Sequence, residues 1–145
     1  MSEPTLSNLT SSHLPLTAAA DLLTVNLPSR FTVTTDQGEP TVGSVTVTVI
    51  TSPRPIVVTP LVGADKTRMR VQVTVCDSTP TACRLTGDHI RGVLTGTTRR
   101  GALLTPITVD GYTFDPPTSL GDGHGATGNG VHTWAETYEL VWQTR

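Results

Sequence analysis

The chain has 145 residues, of which 36% are hydrophobic and 15% are charged, and its formal net charge is −2. This length suits one domain of ordinary size, and the charged share is well below the usual value of about 25%. The 10 basic and 12 acidic side chains lack the basic surplus of proteins that bind a phosphate backbone, so no nucleic-acid partner is expected. Threonine, valine, 13 glycines and 11 prolines favour short strands and turns and argue against long amphipathic helices.

Residues 1–28 differ from the rest because they carry many leucines without strand or long-helix periodicity. One short helical turn, capped by Thr17, is expected over residues 18–23. Solvated tails are poorer in large apolar residues, so we expect an extended N-terminal arm that packs on its own domain or on a neighbouring copy. The assembly residues of this arm are predicted to be Leu6, Leu9, Leu14, Leu16, Leu22 and Leu23.

From residue 31 onwards, apolar and polar residues alternate with period two, which predicts half-buried strands. The predicted strands cover residues 31–35, 41–51, 56–62, 69–76, 90–94, 103–109, 112–114 and 133–144. Pro53 and Pro55 are expected to end the second of these, because proline cannot donate to a central ladder. The last strand places Trp134, Tyr138 and Trp142 on its inward face. Residues 29–145 are therefore predicted to form an all-β domain, an antiparallel β-sandwich or barrel of about seven or eight strands.

The two cysteines, Cys76 and Cys83, flank six residues that are predicted to form a hairpin loop. A cross-strand pair at this place fits the Cα separation that a disulfide needs, about 4.4–6.8 Å. The two cysteines are therefore expected to be either reduced structural thiols or a disulfide. The Cys-x-x-Cys spacing of redox sites is absent, and a zinc site would need further ligands.

Residues 121–130 contain five glycines, as phosphate-binding loops do. This segment has no lysine and precedes a predicted strand, whereas a phosphate-binding loop requires both a lysine and a following helix. We predict a long flexible loop that orders against a partner through Asp122, His124 and Asn129. No serine lies in a nucleophile elbow, and Glu136 and Glu139 fall on opposite strand faces. No catalytic residue, metal site or cofactor is predicted.

Three features remain: the Met-Ser-Glu-Pro start with its arm, the run Ser-Val-Thr-Val-Thr-Val at residues 44–49, and the closing strand at residues 134–142. With these features the chain resembles the small β-sandwich structural proteins of tailed bacteriophages. The resemblance implies a non-enzymatic virion protein, either a capsid decoration protein or a tail accessory subunit. Such a protein packs against copies of itself and other virion proteins in a symmetric assembly.

The N-terminal sequence carries no basic residue before Arg30, and no apolar run is long enough to span a bilayer. We therefore expect synthesis in the host cytoplasm without a signal peptide, location in the virion, and no membrane partner. Two alternatives stay open. One is a carbohydrate- or receptor-binding β-sandwich module whose partner is a host-surface glycan, and the other is a disulfide-linked extracytoplasmic sandwich domain.

Overall fold

The fold was examined in a computed structural model, which describes residues 13–35, 41–59, 64–96, 107, 109, 111–121, 123–128 and 130–144. These residues form two helices and seven strands. In chain order the elements are α1 (His13–Asn26), β1 (Thr32–Thr34), β2 (Ser44–Thr59), β3 (Ala64–Asp77), α2 (Pro80–Thr95), β4 (Tyr112–Phe114), β5 (Thr118–Ser119), β6 (His124–Gly128) and β7 (Val131–Thr144). Neither described helix is long and apolar enough to cross a membrane.

The seven strands form one mixed, open sheet in the order β1-β2-β3-β7-β4, with β5 and β6 also paired to β7. Strand β1 runs parallel to β2, and all other pairs are antiparallel. The prediction of a mostly β chain is confirmed, but a sandwich or barrel is not. In the described residues, helices and not a second sheet pack on the apolar face, so this part has the helix-on-sheet layering of an α+β domain.

The register places the apolar side chains of three central strands on one face. Val71 of β3 pairs with Val49 of β2 and with Tyr138 of β7, and the same alternation continues along β3 and β7 and over residues 45–49 of β2. Both helices add buried side chains to this face. The buried core includes Leu23, Val45, Val47, Met69, Val71, Val73, Val75, Ile90, Leu94, Tyr138, Leu140 and Trp142. The predictions for residues 69–76, 112–114 and 133–144 are confirmed as β3, β4 and β7.

The described part of the N-terminal segment is helical, so the prediction of an extended arm is wrong for residues 13–26. Leu23 is fully buried in the core, and Leu16 and Leu22 are partly buried against it. Alanine and leucine are strong helix formers, and the sheet buries their side chains. Packing on the sheet therefore stabilises a longer helix than the single turn that the sequence predicts. Leu6 and Leu9 lie outside the described residues, as does the side chain of Leu14.

Helix α2 replaces a predicted hairpin loop and a predicted strand at residues 90–94. Thr79 is its N-cap, with Oγ1 accepting from the backbone N–H of Ala82 at 3.1 Å, and Pro80 opens the first turn. The buried positions along the helix are Cys83, Gly87, Ile90, Val93 and Leu94. This is the spacing of an amphipathic helix packed on a sheet, so the exclusion of such helices was wrong.

Strand β2 continues through Pro53 and Pro55, where the sequence predicts a break. Its pairing with β3 shifts register between Val49 and Thr51 and again between Thr51 and Arg54. Strand β1 covers only Ser44–Thr46 of the other edge of β2. No described strand pairs with that edge at Pro53 and Pro55, and a proline nitrogen on an edge without a partner strand needs no ladder bond, which accounts for both prolines in the strand.

The remaining predicted strands are found only in part. Within residues 31–35, β1 covers Thr32–Thr34. Residues 56–59 of the predicted strand 56–62 belong to β2, and the others lie outside the described residues. Of residues 103–109 only 107 and 109 are described, and neither lies in a strand.

Candidate functional site

The indole of Trp134 is held between two glycines at the end of the sheet where α2 begins. A Cβ added to Gly87 of α2 would lie 2.4 Å from Cδ1 of Trp134, and one added to Gly123 would lie 2.3 Å from Nε1. Both distances are too short for any real side chain, so the close approach requires glycine. The buried Nε1 of Trp134 has no hydrogen-bond partner among the described residues.

The glycine-rich segment is not the long flexible loop that its composition predicts, because residues 124–128 form strand β6. This strand pairs with β7 through a tight turn in which Gly130 has φ of +77°. Gly123 lets the backbone lie against Trp134, and Gly130 adopts the left-handed conformation of the turn, so two of the five glycines have a structural reason that involves no ligand. His124 is exposed on β6, whereas Asp122 and Asn129 lie outside the described residues.

A pocket of about 430 Å³ opens beside Trp134, between the first turn of α2 and the β6–β7 hairpin. The Arg84 guanidinium carbon lies 5.8 Å from the centre of the Trp134 ring and forms one wall. His132 forms another wall, and its Nδ1 is 2.9 Å from Oγ1 of Thr127. The pocket therefore offers an aromatic surface, a cation and hydroxyl groups, the side chains from which sugar and small polar ligand sites are built.

The N-terminus of α2 borders this pocket, but few of its backbone N–H groups are free. Thr79 accepts from Ala82 through its side chain and from Cys83 through its carbonyl oxygen, and Pro80 has no N–H. An anion-binding helix terminus needs several unpaired donors. The pocket is therefore defined by its side chains and not by the helix terminus.

Cys76 and Cys83 are both buried free thiols. Cys76 is the penultimate residue of β3, and Cys83 lies in the first turn of α2, so they are not the cross-strand hairpin pair that the sequence predicts. The Sγ of Cys83 donates to the carbonyl oxygen of His132 at 3.0 Å. Burial is the main cause that raises the pKa of both thiols, and the Asp77 carboxylate raises the pKa of Cys76 further. Thiols of this kind are poor nucleophiles near neutral pH; the disulfide alternative stays a prediction.

The buried carboxylate of Glu136 holds α2 on the sheet. Nε and Nη2 of Arg91 in α2 donate to its two oxygens, and Ser119 Oγ lies 3.0 Å from Oε2. Burial alone would raise the pKa of Glu136, but hydrogen bonds, of which that from Arg91 is the strongest, keep it below its ordinary value. Burial and the neighbouring Glu136 raise the pKa of Tyr138, whose hydroxyl has no hydrogen bond of standard geometry within the described part of the chain. Sequence reasoning placed Glu136 on the inward face but did not identify Arg91 as its partner.

Asp77 is a second buried carboxylate, at the end of β3. Its Oδ2 accepts from Nη2 of Arg30 at 2.9 Å, and its Oδ1 accepts from the backbone N–H of Ser78 at 2.8 Å. The hydrogen bond from Arg30 is the main reason why the pKa of Asp77 lies below its ordinary value, despite burial. Both buried carboxylates are thus matched by one arginine each.

A scan against known protein-family models finds no match to the chain, and a search of curated proteins finds no relative. Within the described residues, no three His, Cys, Asp or Glu side chains come close enough together to hold a metal ion. Functional proposals therefore depend on this chain's own pockets, charges and exposed apolar side chains.

Proposed function

We propose that the chain is a non-enzymatic structural subunit of a virion, acting as a capsid decoration protein or a tail accessory subunit. It would pack against copies of itself and other virion proteins, after synthesis in the host cytoplasm. The observation that supports assembly best is an apolar groove of about 250 Å³ where the end of α1 meets the outer face of α2. Apolar surface of this kind favours a protein partner over water.

Leu27, Phe31 and Leu85 supply the apolar lining of the groove. Leu85 is 64% exposed although it lies in the middle turns of α2. The ring of His89 lies 2.9 Å from the carbonyl oxygen of Asn26 and joins the two helices beside the groove. Burying a leucine of this exposure contributes about 1.5–3 kcal/mol, so a few such contacts suffice for weak association.

The occupant that we propose is the segment of residues 1–12 from a neighbouring copy. It carries Leu6 and Leu9 and precedes α1, which is about 21 Å long, and the groove lies at the far end of α1. Twelve residues reach at most about 40 Å, which is enough to cross to an adjacent subunit. An arm of this kind joins copies head to tail, as ring and stacked assemblies require.

The edge of β2 is a weaker candidate for the same role. Three register shifts and the two prolines interrupt it beyond Val49, and such features oppose the addition of another strand. Among the described residues, the stretches 47–49 and 54–57 are in continuous register with β3 and have no partner strand on the other edge, and Pro55 interrupts the second stretch. Side-chain packing in the groove therefore accounts for assembly better than strand addition.

Light scattering on a sizing column tests this proposal. The full chain is expected to form a discrete oligomer, and both Leu85→Glu and a chain that begins at His13 are expected to be folded monomers. Leu120→Glu is the matched control, because Leu120 is exposed and does not line the groove. A monomeric full chain, or an oligomer that survives Leu85→Glu, would show that the groove does not join subunits.

The pocket beside Trp134 favours a second candidate, a carbohydrate- or receptor-binding module. Indole rings stack on the apolar faces of sugars, guanidinium groups donate hydrogen bonds to sugar hydroxyls, and one of each lines this pocket. Titration of the intrinsic tryptophan fluorescence with a panel of monosaccharides tests it. Saturable quenching that Arg84→Gln abolishes and Leu85→Glu leaves unchanged would support the module. If no sugar of the panel quenches the fluorescence, the pocket does not bind these sugars.

A further inference from the structure

Three arginines lie around a depression on the outer face of the sheet, which is the face opposite the two helices. Arg54 of β2 is the direct cross-strand partner of Arg68 in β3, and Arg70 pairs with Thr51. The three guanidinium side chains line one depression of about 210 Å³, together with Thr51 and Met69. We refer to Arg54, Arg68 and Arg70 as the arginine cluster.

Among the described residues, a single carboxylate, that of Glu139, lies close to the arginine cluster. Its Oε2 lies 3.5 Å from Nε of Arg70 and 3.9 Å from Nε of Arg68. Within the described residues, no carboxylate lies within 4 Å of Arg54. Like charges directly opposite each other on neighbouring strands are destabilising, and this arrangement leaves two of the three cations unmatched.

The other ion pairs of the described chain are matched one to one. Arg30 pairs with Asp77, Lys66 with Asp115, and Arg91 with Glu136. The cluster is therefore a local cationic excess in a chain whose net charge is −2. Side-chain exposures of 41% for Arg68 and 45% for Arg70 leave both guanidinium groups accessible to a partner.

From this excess we propose that the arginine cluster binds the carboxylates of an extended acidic segment of a partner protein. Planar guanidinium groups bind carboxylates through two parallel hydrogen bonds, and three of them in one depression can hold two neighbouring acidic side chains. The sheet face around the cluster presents Thr48, Gln72 and Thr137, which are uncharged. Nucleic acid is a poorer fit, because it needs a longer basic track for many phosphates.

The test is binding of a fluorescently labelled hexaglutamate peptide to the full chain at low salt, measured by anisotropy. Arg54→Gln is the informative variant, because Arg54 has no ion-pair partner among the described residues and its removal should leave the fold intact. We expect it to weaken binding about tenfold, as the loss of one charged hydrogen bond would. Val25→Glu changes the net charge equally on α1, which packs on the opposite face of the sheet, and this variant is expected to bind as the unmodified chain does because Val25 is exposed and far from the cluster.

Each outcome decides the proposal. Hexaglutamate binding that falls with Arg54→Gln alone supports it, whereas equal losses in both variants would show attraction by overall charge only. An absence of hexaglutamate binding overturns it, as does tighter binding of a twelve-nucleotide single-stranded DNA with the same dependence on Arg54. The light-scattering assay of Leu85→Glu is independent of this result, because the groove and the cluster have no residue in common.

Discussion

The two ends of the sheet differ in how their charged side chains are matched. Near α2, the Glu136 carboxylate is buried, and Arg91 and Ser119 satisfy it. Near the register shifts of β2, Arg54, Arg68 and Arg70 are exposed and share Glu139. A buried charge must be matched within its own chain, whereas an exposed cluster is tolerated in water and can be matched by another molecule. The first end therefore serves the stability of the fold, and the second is available for binding.

Arg91→Met should have the largest effect, because it leaves the buried carboxylate of Glu136 without its cation. We expect a loss of about 3 kcal/mol in the free energy of unfolding, at the low end for a buried pair because Arg91 itself is 39% exposed. Urea denaturation measures it. Arg70→Met, at the exposed end, should cost less than about 1 kcal/mol. Similar losses at both ends would contradict the comparison.

Acid should destabilise the protein through its two buried carboxylates. The pKa values of Glu136 and Asp77 lie below their ordinary values in the folded state. Each therefore contributes stability above the unfolded pKa values of about 4, and this contribution is lost as the pH falls through the lower folded values. Tm measured between pH 6 and pH 2.5 should fall with pH, and less steeply in Arg91→Met. A Tm that rises on acidification would contradict this assignment.

Two glycines of α2 provide a matched test of the packing around Trp134. Gly87→Ala gains helix propensity but places a Cβ against the indole, so we expect a net loss of about 1–2 kcal/mol. Gly92→Ala, with no atom within 4 Å of the added Cβ, should instead gain about 0.8–1 kcal/mol. Thermal unfolding of both variants gives the two signs. Stabilisation by Gly87→Ala would show that the indole moves readily.

The smallest expected effect is at the exposed end. Arg54→Gln removes one of two opposed like charges and should raise the free energy of unfolding by about 0.2–1 kcal/mol at low ionic strength. Salt screens exposed charges, so the gain should disappear near 1 M salt. Urea denaturation at the two salt concentrations measures this difference. Destabilisation by Arg54→Gln would mean that the side chain has a stabilising role in the free protein.

The central strands were predictable because each obeys a local rule. Alternating valines identify β3, and alternating large residues identify β7 with its inward Trp134, Tyr138 and Trp142. Helix α2 was also within reach of the sequence, since Thr79 and Pro80 form a capping signal and Cys83, Gly87, Ile90 and Leu94 follow helical spacing. The prediction that Cys76 and Cys83 flank a hairpin loop was incompatible with a helix at these residues, so the capping signal was not used.

The sequence by itself determined that the chain is rich in strands, and it determined which face of β3 and of β7 is buried, because a period of two leaves no other choice. Tertiary structure alone decided that helices cover this face, that Gly87 and Gly123 are needed against Trp134, and that Arg54 lies opposite Arg68. Those contacts join residues far apart in the chain. The register shifts of β2, which local sequence does not specify, place Arg54 opposite Arg68.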